Sequence, residues 1–186
     1  MNRPWQWAYP KAMRYWQTLA TVSNRLTEGA GGLAVALVPL LVLVGTWNVL
    51  GRYLGRWLGM NLTSNAFLEL QWYLFSAIFL LGAAHTLYQN GHVRVDVLYN
   101  RWSERRRAWI DLLGTLLFLL PFVALLIWLT APPVITAWRI AEQSPDPGGL
   151  PRYWVKTLPL VGFGLLCLQG IVQVVRLGRF LRQPQR

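Results

Sequence analysis

The sequence predicts an all-α integral membrane protein. It should have four transmembrane helices, amphipathic interfacial helices beside them, and both termini in the cytoplasm. Three observations predict this. Hydrophobic residues make up 54% of the 186-residue chain and charged residues only 13%, about half the charged fraction of an average soluble domain. The apolar residues fall into four long runs, each near the roughly 20 residues that cross a bilayer. The arginines collect between those runs, where they set topology.

The four runs are residues 31–50, 66–88, 109–130 and 157–175. The first contains Pro39, which lipid-embedded helices tolerate when neighbours satisfy the freed carbonyl. The second begins AFLELQWYLF and carries Glu69 about one turn in. The third contains Pro121, an expected kink, and Pro132 and Pro133 are expected to stop it. The fourth presents Gly162, Leu166, Gln169 and Gln173 near one face. Small residues and amides are what helix contacts in lipid use, and a lone amide in lipid is costly. That face should therefore meet another helix, in this chain or in a partner.

Residues 1–30 form an expected cytoplasmic or interfacial segment, 31–177 the membrane domain, and 178–186 a basic cytoplasmic tail. Met13, Trp16, Ala20, Ser23 and Leu26 recur near helical spacing, as in a helix lying on the inner leaflet. Val95, Leu98 and Trp102 make the same case for the second loop. Trp47, Trp57, Trp72, Trp109, Trp128 and Trp154 sit near span ends, where aromatic belts form. The third loop holds SPDPGGLP, which is turn chemistry.

Of the 18 Lys and Arg residues, 13 lie in the N-terminal segment, second loop and tail. The positive-inside rule places those three segments in the cytoplasm. The net charge of +11 thus reads as topology and affinity for anionic lipid rather than for nucleic acid. The first thirty residues lack the continuous apolar stretch of a signal peptide.

Catalytic chemistry finds little support. The single cysteine, Cys167, excludes an internal disulfide and thiol-pair redox chemistry. Two histidines, His85 and His92, are too few for a four-helix cytochrome with two haems. His92 and Asp96 share a helical face but lack further ligands, and a metal site needs three or four. No phosphate-cradling glycine loop and no nucleophile triad is evident. The expectation is neither an enzyme nor a carrier of a metal or cofactor. A self-sufficient homo-oligomeric transporter or channel would need an embedded carboxylate, and Glu69 is the only candidate. Its expected partner is interfacial, Arg52 or Arg56. A membrane anchor for a redox or signalling complex is the other alternative.

The stretch FLLGAAHTLYQNGHVRVDVLY at Phe79–Tyr99 resembles the signature of the small permease subunit of tripartite ATP-independent periplasmic (TRAP) transporters. There a Gly-Ala-Ala-type span end, here Gly82, Ala83 and Ala84, leads into an H-[VI]-R-[VI]-D motif, here His92, Val93, Arg94, Val95 and Asp96. Arg52 after the first span and Glu69 at the start of the second occupy further family positions. Many members carry two adjacent acids there, whereas Leu68 precedes Glu69 in this chain. The resemblance covers roughly residues 33–170. It implies a multi-pass protein of the bacterial inner membrane, paired with a large permease subunit and, through the complex, with a periplasmic substrate-binding protein. The large subunit would carry an organic acid by an elevator motion driven by an ion gradient, while the small subunit acts as static scaffold. Arg52, Glu69, His92, Arg94 and Asp96 would then be structural or subunit-contact residues.

Overall fold

The computed structural model describes residues 14–91 and 102–183, and over these it is helical with no strand. Four helices are long and apolar enough to cross a membrane. They are α1 (Arg14–Leu58), α2 (Asn65–Tyr88), α3 (Glu104–Arg139) and α4 (Arg152–Arg182). Helix α4 is the hub and touches the other three; α1 also packs along α2. Burial is low, and large apolar side chains such as Val35, Leu43, Phe118 and Trp128 lie open on the outer surface. That inversion of a soluble core is expected where lipid is the solvent, since lipid tails solvate leucine as well as protein does.

Close helix approach depends on glycine at two crossings. A Cβ on Gly162 of α4 would lie 2.8 Å from Leu80 Cβ and 2.9 Å from the Leu80 carbonyl oxygen of α2. A Cβ on Gly31 of α1 would collide with the His85 ring of α2. Removing the side chain lets backbones come together, and dispersion then holds them.

The helices overrun the spans in instructive ways. Residues 14–30 do not form a separate element: they continue without a break into the first span. At about 1.5 Å per residue α1 is roughly 68 Å long, more than twice the hydrocarbon thickness. The amphipathic stripe predicted there is divided between two roles. Ala20 and Ser23 are buried, whereas Trp16 and Leu26 stay exposed. Helix α1 ends at Leu58 with Gly59 at φ +68°, and the Met60 amide donates back to Gly55 O at 2.9 Å. This is a left-handed cap that glycine adopts without a Cβ penalty.

Pro132 and Pro133 do not stop α3, which runs on to Arg139. Their rings free the carbonyls of Trp128 and Leu129, and both of those residues are exposed on the outer surface. The Thr136 hydroxyl also donates to Pro132 O at 3.0 Å. Around Pro121 the helix does not simply kink. Residues Thr115–Leu119 widen into a π-turn, which makes room for the proline ring against the carbonyl four residues back. The third connection shrinks to residues 140–151 because both its ends are helical. Helix α4 likewise absorbs the start of the basic tail, up to Arg182. The Arg105–Arg107 run is helical and opens α3, with Arg105 donating to Leu181 O at 3.4 Å.

Candidate functional site

The chemistry of the described residues concentrates at two places, one at each end of the bundle. The first is built on Glu69. Helix α2 starts at Asn65 after an extended Ser64, which brings Glu69 to the end of its first turn. The short connection after α3 folds back over that turn. Ala141 at φ 45° and Gly148 at φ 71° supply its sharp bends, and the Gly149 amide donates to Asp146 O at 3.0 Å.

Glu69 is buried, 3% exposed, and its carboxylate is engaged on both oxygens. The Ser144 hydroxyl donates to Oε1. The Leu150 backbone N–H donates to Oε2 at 2.5 Å. Arg152 Nη2, in the first turn of α4, lies 3.6 Å from Oε1. Gly149 is required here, because a Cβ at that position would sit 2.7 Å from Glu69 Oε2. Two more α2 side chains fasten the same loop. Asn65 Nδ2 donates to Pro147 O at 3.0 Å. The Tyr73 hydroxyl lies 3.3 Å from Leu150 O and 3.2 Å from Pro151 O. Behind them, Lys156 pairs with Glu142 at 2.5 Å, and Trp138 Nε1 donates to Thr157 Oγ1 at 2.8 Å.

The second place is neutral. Gln169 of α4 is buried, and its Oε1 accepts from Ser23 Oγ of α1 at 2.9 Å and from Thr27 Oγ1 at 3.5 Å. Both hydroxyl residues are fully buried. Nearby, the Tyr88 hydroxyl donates to Glu28 Oε1 at 2.6 Å and ties α2 to α1.

The predicted residues fare unequally. Arg52 and Arg56 are exposed on the last turns of α1, beside the first connection. They do not pair with Glu69; the cation at that carboxylate is Arg152. Gln169 and Gly162 do meet other helices, and both partners belong to this chain. His92, Arg94 and Asp96 lie outside the described residues. Ser144, Leu150, Arg152, Tyr73 and Asn65 were not anticipated. Only the turn signal SPDPGG hinted that a tight loop was available to wrap a carboxylate.

Chemically, the Glu69 cluster is a lock. Its carboxylate is committed to an N–H, a hydroxyl and a guanidinium, and it joins α2, the loop and α4. Among the described residues no group of three or more His, Cys, Asp and Glu could hold a metal ion.

Residues 41–180 match the family described as "Tripartite ATP-independent periplasmic transporters, DctQ component". That match spans well over half of the chain. The chain belongs to this family of small TRAP permease subunits. It is therefore a transporter component of the inner membrane and not an enzyme. The four apolar helices agree with a multi-pass location. The matched region contains the whole Glu69 cluster and Gln169, and it leaves out the first turns of α1 that carry Ser23 and Thr27. No curated protein and no solved structure matches the chain.

Proposed function

We propose that this TRAP subunit pairs with the large permease subunit and serves as its static scaffold. The complex would take up an organic acid delivered by a periplasmic binding protein, driven by an ion gradient. The observation that carries this reading is the commitment of Glu69. A carboxylate that binds and releases an ion or proton must change partners during a cycle. This one fixes two helices and a loop at once, which suits a part that stays still while another slides. Aromatic residues and arginines at the span ends support the same role, since vertical displacement would drag them out of the headgroups. We further propose that Arg52, His92, Arg94 and Asp96 are structural or subunit-contact residues, with the motif setting the turn between α2 and α3.

The test is a pull-down from gently solubilised native membranes, using a tag at the C-terminus. A stoichiometric large permease is the expected companion. Recovery of the chain alone or as a homo-oligomer, with ion-dependent flux after reconstitution that Glu69→Gln abolishes, overturns the scaffold reading.

A further inference from the structure

At the end of the bundle away from Glu69, helices α2, α3 and α4 do not close completely on one another. They leave about 40 Å³ open to water between them. Leu87 and Leu177 supply apolar wall, and the rest of the lining is polar. Tyr88 and Asn90 come from the end of α2, Asp111 from α3, and Gln169, Gln173 and Arg176 from successive turns of α4. Asn90 is exposed and marks the rim. Gln169, 1% exposed, forms the floor.

Gln169 decides what the cavity can hold. Its Oε1 is taken by Ser23 and Thr27 of α1. Its Nε2 carries two donors, and no described residue accepts from them. A buried donor left bare costs its full desolvation. With Oε1 committed to α1, Nε2 is the polar end that Gln169 turns to the cavity. Gln173 and Arg176, one and two turns further along the same face, also make no hydrogen bond or ion pair with described residues. Tyr88, Asn90 and Asp111 are each engaged with another partner. Their side-chain oxygens nonetheless have more than one lone pair each.

We infer that this cavity binds water, about three molecules at roughly 10–15 Å³ each. The water joins Gln169 of α4 to the polar groups of α2 and α3. Buried water needs two to four polar partners, and the lining supplies them from three helices. Charge selects the occupant. Arg176 repels a cation and Asp111 repels an anion, whereas a neutral molecule that both donates and accepts suits the two together. An apolar occupant would leave Gln169 Nε2 bare. Bridges through water are enthalpically nearly as good as direct hydrogen bonds. Gln169 then becomes the point where all four helices meet. It reaches α1 directly through Ser23 and Thr27, and α2 and α3 through water. The site requires only the folded bundle and is independent of the scaffold reading.

Water-edited solid-state NMR tests it on the full-length chain in lipid bilayers. Gln169–Gly170 is the only Gln–Gly pair in the sequence. Labelled glutamine and glycine therefore assign the Gln169 side-chain nitrogen without a mutation. Magnetisation from mobile water is expected to reach that nitrogen as fast as it reaches the exposed Gln143. Gln173→Phe, which puts a ring into the cavity, should remove most of this transfer and leave that of Gln143 unchanged. Transfer to Gln169 that lags far behind Gln143 in the unmodified chain overturns the site, and this readout needs no variant. So does transfer that Gln173→Phe, shown to be folded by its elution peak, fails to reduce. A Gln169 side-chain shift that moves saturably with added sodium or chloride would overturn water in favour of an ion.

Discussion

The two ends of this bundle are fastened by different chemistry. At one end a guanidinium, a hydroxyl and a backbone N–H converge on the Glu69 carboxylate. In the other half a single amide oxygen accepts from Ser23 and Thr27. The first lock is charged and sits near the start of α2, where the loop after α3 is at hand. The second is neutral and lies within the stretch that α4 devotes to the span. A charge is costly away from the interface, whereas neutral hydrogen bonds between helices in lipid are each worth well under 2 kcal/mol. Position in the bilayer therefore dictates which chemistry each end can use, and how much each should matter.

The sharpest way to break the comparison is to remove the charged lock. Glu69→Ala leaves the Leu150 N–H, the Ser144 hydroxyl and Arg152 without their shared acceptor, and losing one partner of a buried polar set costs more than losing the whole set. It should give the largest fall in thermal stability of any variant considered, read as the temperature at which the solubilised chain leaves its monodisperse elution peak. Glu69→Gln keeps an oxygen for the Leu150 N–H and should fall between Glu69→Ala and the unmodified chain. A Glu69→Ala protein as stable as its parent would show that the loop is held by Asn65 and Tyr73 alone.

Next in size is the helix crossing at Gly162. A leucine there would drive against the Leu80 backbone carbonyl, which cannot rotate away as a side chain end can. Gly162→Leu should cost about 1–3 kcal/mol, the usual range for overpacking, and lower the same elution transition. Because this contact is apolar, the loss should not respond to salt.

Gln169→Leu should cost less, about 1 kcal/mol, in line with hydrogen bonds between membrane helices. Ser23 and Thr27 can then turn back to their own helix carbonyls, as Thr21 already does toward Gln17 O at 2.7 Å. A loss equal to that of Glu69→Ala, in the same heated-elution assay, would erase the distinction between the two ends.

The four spans were legible because lipid selects on a property that each residue carries locally. Their ends were not, because a helix stops only where its backbone finds other partners. Pro132 and Pro133 looked like a stop, yet the helix continues through both to Arg139, since a proline in a membrane helix is tolerated where the freed carbonyls find other partners. Residues 14–30 looked like a separate surface helix, yet Ala20 and Ser23 found a place against α4. The need of Gln169 for a partner could be read from its surroundings. Its partner could not, since Ser23 lies 146 residues away and nothing local links the two.

Glu69 teaches the same lesson more strongly. Arg52 and Arg56 are nearer in sequence and lie on the same side of the membrane, so they are the natural candidates for its cation. The folded loop brings Arg152 instead, 3.6 Å away, and leaves Arg52 exposed at the end of α1. This yields the smallest expected effect. Arg52→Gln should change the stability of the isolated subunit by less than about 0.5 kcal/mol, as surface substitutions usually do. Arg152→Gln, which leaves Glu69 buried without its cation, should destabilise clearly in the same elution assay. If the two substitutions proved equally harmful, the carboxylate would be sensing both arginines, and the charged lock would extend to α1. If Arg52→Gln spared the isolated subunit but reduced recovery of the assembled complex, Arg52 would be marked as a contact residue. The charged end would then divide into one arginine that holds the fold and one that holds the partner.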